Sequence, residues 1–276
     1  MIDPFDYKEP SCALCGGEDF YYPKQDGPKG RVPVDRIVAK LDGFFAKNDL
    51  DGAERHLTYW RNEAKELGDK EGELSLVSEQ IGLYRKTFDK DHALEAVDRG
   101  VALVEDLSLT ETISGATVLL NAATTKKAFG QAYEALPLYK MAADVYEKDL
   151  SPDDRRLAGL YNNRALAYAD LGDVENAEKD YLAAIEILKK SEDNENEIAI
   201  SYVNYAHLCE KDRSKSVFFP LDLMEKAYSF LTADTVKPTA NHASACDKCA
   251  PSFLRFGMRE EAEYLQNRAK EIYERA

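Results

Sequence analysis

Five cysteines and a recurring set of asparagines are the residues of this 276-residue chain whose types and spacing could do chemistry. Cys12-Ala13-Leu14-Cys15 runs into Gly16-Gly17, and Cys246-Asp247-Lys248-Cys249 is a second CxxC pair. Two thiolates so spaced can grip one tetrahedral zinc ion, and a closed structural site needs four ligands. Cys12, Cys15, Cys246 and Cys249 are therefore a candidate metal set, with its halves more than 230 residues apart. His242 stands one turn before Cys246, so on a helix His242, Cys246 and Cys249 share a face. The competing reading is that buried free cysteines pack as small hydrophobes. Asn121, Asn163 and Asn204 recur at spacings of 42 and 41. Asn is a poor helix-interior residue, so this recurrence needs a reason. Its amide offers both donor and acceptor. Three amides at one spacing could pair with the backbone of an extended peptide whatever its sequence, or each could bond a neighbouring helix. No Ser/His/Asp order, Gly-rich phosphate loop or HExxH is present, and the four histidines pair with no nucleophile. The sequence predicts no enzyme.

These residues must be carried by something periodic. The segment from Leu157 to Leu188 places Tyr161, Ala165 and Tyr168 before Leu171-Gly172-Asp173, and Ala177, Tyr181 and Ala184 after it. Small or apolar residues at spacings of three and four on both sides of a glycine turn predict two amphipathic helices joined tightly. The tyrosines at this spacing, with Tyr202 and Tyr205, are expected to pack in the core. Small residues then recur along the chain. Gly100, Ala142, Ala184, Ala227 and Ala269 follow one another at 42, 42, 43 and 42, with Ala53 and Ala93 extending the series. Ala123, Ala165, Ala206 and Ala250 form the companion series. Close helix approach requires short side chains at such points. The predicted units are about 33–68, 70–107, 110–149, 153–190, 196–233 and 239–276.

The segment AGLYNNRALAYADLGDVENAEKDYLAA, from Ala158 to Ala184, resembles a tetratricopeptide repeat. The usual repeat is about 34 residues. The period of 42 resembles the longer repeats of kinesin light chains and of bacterial peptide-sensing regulators. The resemblance spans roughly residues 33 to 274. It weakens in the first unit, where Trp60 replaces a small residue, and in the fifth, where KDRSKSVFFP occupies the turn. It implies an all-α, right-handed solenoid of about six helical hairpins over residues 32–276, with a groove lined by the first helix of each unit. It also implies that Asn121, Asn163 and Asn204 hold a peptide backbone in that groove. Arg85, Lys86 and Lys127 are expected on the same face, with Lys126, Lys211, Asn162 and His207 nearby. Such a basic strip would attract a carboxylate; the alternative is ordinary solvated lysine. The expected function is a protein- or peptide-binding scaffold, the alternatives being a regulatory peptide sensor or a zinc-stabilised module. Self-association is compatible with either.

Charge narrows the partners. Lys plus Arg number 36 against 51 Asp plus Glu, a net charge of -15. Such a surface repels nucleic-acid phosphates and anionic lipid. No run of 18 apolar residues predicts a membrane span. The opening Met1-Ile2-Asp3-Pro4 has neither a basic nor an apolar leader region, and an odd cysteine count does not suggest a disulfide framework, so a cytoplasmic chain with reduced thiols is expected. Residues 1–31 are rich in Pro and Gly, which argues against helix. This irregular tail carries Phe5, Tyr7, Phe20, Tyr21 and Tyr22, aromatics suited to docking on a surface. Its Cys12-x-x-Cys15-Gly-Gly resembles the first knuckle of a zinc ribbon.

Overall fold

The computed structural model describes residues 30–210, 216 and 218–275. Cys12, Cys15, the rest of the tail and Lys211 lie outside the described residues, so the expectations attached to them have no structural counterpart here. Among the described residues every regular element is a helix. They group into two compact units, divided between Gln131 and Ala132.

The first unit holds α1 (Val34–Ala46), α2 (Leu50–Leu67), α3 (Lys70–Thr87), α4 (Lys90–Asp106) and α5 (Ile113–Ala128). The second holds α6 (Ala132–Asp149), α7 (Arg155–Asp170), α8 (Val174–Leu188), α9 (Glu195–Glu210), α10 (Phe219–Leu231), α11 (Ala240–Arg255) and α12 (Arg259–Arg275). The helices match the predicted units to within about three residues at each end. Within each unit, consecutive helices pack on one another along the chain. Alternate helices also meet: α1 on α3 and α3 on α5, then α7 on α9 and α9 on α11. Consecutive second helices show no comparable backbone approach. The first helices therefore form one continuous layer in each unit, as a helical solenoid requires.

The turns repeat one device. A residue at positive φ ends a helix, and an aspartate next to it caps the following one. Asn48, Gly68, Phe88 and Gly172 are left-handed, at φ 53, 68, 58 and 78°. Asp49, Asp69, Asp89 and Asp173 follow them, and each carboxylate accepts a backbone N–H three residues on. The aspartate N–H in turn donates to the carbonyl five residues back, as from Asp173 to Tyr168 at 2.9 Å. Both helix ends are thereby satisfied within two residues. Glycine is the unstrained choice at Gly172. Phe88 takes the same conformation with its ring 82% exposed.

The periodic small residues sit at the crossings. Ala53, Ala93, Ala142, Ala184, Ala227 and Ala269 are 0% exposed, as are Ala123, Ala165, Ala206 and Ala250. At Gly100 a Cβ would come within 3.2 Å of Ile81 Cδ1. The tyrosines divide. Tyr181, Tyr202 and Tyr205 are buried, as expected, whereas Tyr161 and Tyr168 are only half-buried. The Tyr161 hydroxyl donates to Glu147 Oε1 at 3.1 Å, which keeps its polar end near the surface.

Asp69 carries more than its cap. It is 7% exposed, accepts Gly72 N–H at 3.0 Å and also accepts Val32 N–H at 2.9 Å, tying the segment before α1 to the start of α3. Asp173 is half-buried and caps α8, its other oxygen accepting only the surface amide of Asn176 at 2.8 Å. Losing a cap costs about 1 kcal/mol, and an orphaned buried N–H costs about 1 more. In urea unfolding, Asp69→Ala is expected to lose about 2 kcal/mol and Asp173→Ala about 1 kcal/mol. Equal losses would show that the Val32 tie contributes nothing.

Candidate functional site

The first-helix layer of the second unit contains the most developed constellation. Helix α7 begins at Asp154, whose carboxylate accepts Arg156 N–H at 2.9 Å and the Arg156 guanidinium at 3.0 and 2.6 Å. These bonds, the side-chain ones first, hold the Asp154 carboxyl down at about 2. The neighbouring Arg155 reaches the next first helix, donating to Glu197 Oε1 on α9 at 3.3 Å. Two turns along α7, Asn162 Nδ2 donates to Ser201 Oγ at 2.8 Å, and Ser201 Oγ donates to the Glu197 carbonyl at 2.7 Å. Two polar bridges thus join α7 to α9.

Between them lies a cavity of about 290 Å³, lined by Arg155, Arg156, Gly159, Asn162, Leu188 and Glu197. Leu188 is set by the α8–α9 loop, where Asn194 Nδ2 donates to its carbonyl at 3.0 Å. Two oxygens of the lining residues, Asn162 Oδ1 and Glu197 Oε2, are buried and accept no hydrogen bond. Buried polar atoms ordinarily have partners, so such atoms ask for one.

The rotation of α7 is fixed from its other side. The Arg164 fork meets Asp180 on α8 at 2.7 and 2.9 Å, with the carboxylate 5% exposed. Burial opposes the Arg164 charge, but the hydrogen bonds and charge of Asp180, with neighbouring groups, outweigh it and raise the guanidinium above its ordinary range.

The predicted asparagines distribute as follows. Asn163 and Asn204 stand half-buried on α7 and α9, neighbouring first helices. Asn163 Nδ2 donates to the Gly159 carbonyl of its own helix at 2.9 Å. Asn121 is half-buried on α5, in the first unit. Asn162, expected only to share the surface, is the residue that bridges to α9. The expected basic strip is engaged by the protein itself. Arg85 donates to Thr125 Oγ1 at 3.4 Å, and Lys86 lies 5.2 Å from the Phe45 ring centre. Lys126 turns to Asp98 on α4 at 3.4 Å, away from the first-helix layer. Lys127 is half-buried at the end of α5. His207 Nε2 pairs with Ser252 Oγ at 2.8 Å, joining α9 to α11, and its ring lies 5.1 Å from that of Phe256.

Arg155, Glu197 and Ser201 were not singled out from the sequence. A signal existed: Arg155 and Glu197 are opposite charges 42 residues apart, one repeat period, which places them side by side on successive first helices.

The described half of the candidate metal set lies buried on α11. His242, Cys246 and Cys249 are 1%, 0% and 2% exposed. Burial pushes the Cys246 thiol up to about 11 and the Cys249 thiol up to about 12, so both stay protonated. His242 Nδ1 is already bonded to Asn196 Oδ1 at 2.8 Å, and burial holds the ring below its ordinary range. Among the described residues no three His, Cys, Asp or Glu side chains group as a metal ion would need.

Comparison with known proteins bears on the fold. No family model matches the chain, and no curated protein matches its sequence. Among solved structures, it is similar to the nearly identical TPR-like repeats of a Podosopora anserina chain designated a kinesin light chain, with 19% identity and a TM-score of 0.55 over 72% of this chain and 94% of that one. A single-substitution form of the same repeats gives 19% identity and a TM-score of 0.56 over 74% and 97%. The chain therefore has the fold of tetratricopeptide-type repeats, an all-α solenoid. No described helix is long and apolar enough to cross a membrane.

Two measurements test this geometry. Asp180→Ala strands the Arg164 guanidinium and should cost about 3 kcal/mol in urea unfolding, while Arg164→Met with Asp180→Leu should cost clearly less. Iodoacetamide followed by mass spectrometry should leave Cys209, Cys246 and Cys249 unlabelled in the native chain and label all three in urea. Native labelling of Cys246 or Cys249 would refute their packing role.

Proposed function

We propose that this chain is a polypeptide-binding scaffold that holds an extended segment of its partner along the first-helix layer, without catalysing a reaction. The observation that carries this reading is the pair Asn163 and Asn204. They stand at equivalent places on α7 and α9, which pack side by side, and both remain half-buried rather than sealed in the core. Amides at such places offer donors and acceptors to a peptide backbone, whose own N–H and C=O groups need them. Asn121 occupies the equivalent place in its own repeat, within the first unit. The layer is otherwise tied by polar bridges between first helices, so the surface is organised before a partner arrives, which limits the ordering cost of binding.

A static scaffold also suits these bridges better than a sensor that changes pitch. Moving α7 relative to α9 would break the Arg155–Glu197 and Asn162–Ser201 contacts together.

The test uses a displayed library of random peptides panned against the immobilised full chain. Asn121→Ala, Asn163→Ala and Asn204→Ala combined are expected to reduce recovery of the enriched peptides at least tenfold, with helical circular dichroism and the melting midpoint unchanged. Undiminished recovery by a folded triple variant would refute the reading.

A further inference from the structure

The first hairpin is built unevenly. Pro33 delays the start of α1, because the residue before a proline is held extended. Helix α1 therefore has 13 residues, while α2, its antiparallel partner, has 18. In the next hairpin α3 and α4 have 18 and 17. The shortfall of α1 amounts to about 7 Å. His56 Nε2 on α2 donates to the Ile37 carbonyl on α1 at 3.1 Å, which sets the register of the pair. One turn further on, α1 ends at Val34 and α2 continues to Leu67. The uncovered end shows in the burial. One repeat of 40 residues later, α4 buries Gly100, Leu103 and Val104. The equivalent residues of α2 are Trp60, Glu63 and Ala64, of which Trp60 and Glu63 are only half-buried. Leu67 is 49% exposed. Trp60 flanks the hairpin's core with one side incompletely covered, and Tyr59 lies edge-on to it at 5.2 Å.

The chain enters the fold at this same place. Val32 N–H donates to Asp69 Oδ2 at 2.9 Å, and Arg31 meets Glu71 at 2.8 Å, so both are held at the start of α3. A Cβ built on Gly30 would lie 3.9 Å from the Leu67 carbonyl oxygen. Residues 1–29 thus lead away from the uncovered end of α2. We propose that the segment Phe20-Tyr21-Tyr22 folds back along α2 and closes the first hairpin over Trp60. The inference does not depend on what the first-helix layer binds. Tyr22 stands eight residues before Gly30, a span of up to about 27 Å. Trp60 lies about 10 Å from Leu67 along α2, well inside that reach. Aromatic rings bring large apolar area and pair edge-to-face with an indole. A tethered segment docks at high effective concentration, so a small contact suffices. The first repeat needs such cover because no earlier repeat supplies it.

Trp60 is the one tryptophan of the chain, so its fluorescence reports on this place alone. The experiment uses the full-length chain with Phe20→Ser, Tyr21→Ser and Tyr22→Ser combined. Helical circular dichroism should be unchanged, while Trp60 emission moves to the red and its quenching by acrylamide rises about twofold, as for an indole losing cover on one side. Phe5→Ser with Tyr7→Ser should leave both readings as they are. Unchanged emission in the first variant, or an equal change in the second, would overturn the proposal. A second measurement places p-benzoyl-phenylalanine at position 67 of the otherwise unaltered chain. Illumination should cross-link it within the chain to residues 18–24. Cross-links that miss this segment would overturn the docking, and cross-links joining two chains would give the surface to a second copy instead.

Discussion

The structure depends on a steric limit: at the repeated alanine positions, where the helices of a hairpin pack closest, no side chain larger than a methyl group fits. The alanines of both series are fully excluded from solvent. A methyl at each crossing lets backbones approach closely enough for larger neighbours, such as Tyr139, Tyr146 and Tyr181, to fill the space on either side. Ala142 has Tyr139 and Tyr146 one turn away on α6, and Ala184 has Tyr181 on α8. The small residue sets the distance, and the aromatic supplies the buried area. Enlarging the first would force apart what the second packs against.

Contact distance alone does not set rotation, because an alanine presents nearly the same surface over a range of angles. Each unit adds a buried ion pair that does. In the first unit Glu73 on α3 is 3% exposed and meets the Arg99 fork on α4 at 2.8 and 2.6 Å, with Arg61 and Lys65 at 4.0 and 3.9 Å. In the second, Asp180 and Arg164 do the same across α7 and α8. A bidentate fork has one satisfactory geometry, whereas its net contribution to stability is small once desolvation is counted. The value of these pairs lies in orientation. With α7 held against α8 by Arg164, residues 162 and 163 take fixed and different directions about the helix axis, one toward α9 and the other toward its own backbone.

That division marks where the sequence stopped being legible. Repeat length, helix order, turn positions and crossing alanines were all readable, because each depends on residue size and spacing along one strand of text. The tyrosines at the same spacing were only partly readable, since Tyr161 carries a hydroxyl that finds Glu147 outside the core. The site was harder for a geometric reason. A repeat of 42 residues identifies which residues are equivalent, and it selects Asn163 with Asn204. It does not say which of two adjacent asparagines spans to the next repeat, because neighbours on a helix differ by about 100°. The bridging residue is Asn162, and its partner Ser201 lies 39 residues away rather than 42. Contacts between successive first helices also fall at 42, 45 and 46 residues, as for Arg155–Glu197, His207–Ser252 and His242–Asn196. A strict period therefore finds some of them and misses others. The cysteines were ambiguous for a different reason. Spacing is the same for a metal pair and for two packing residues.

The polar bridges between first helices have a consequence for what the layer can offer a partner. Each bridge consumes one end of a side chain and thereby dictates what the other end presents. Ser201 accepts from Asn162 because its own proton is committed, so the free end of the amide is an acceptor. Arg155 occupies one oxygen of Glu197, so the free end of the carboxylate is an acceptor as well. The same bonds that fix α7 to α9 therefore leave an acceptor without a donor on each helix. A change to either partner of a bridge therefore alters both the helix contact and the acceptor that the bridge leaves over.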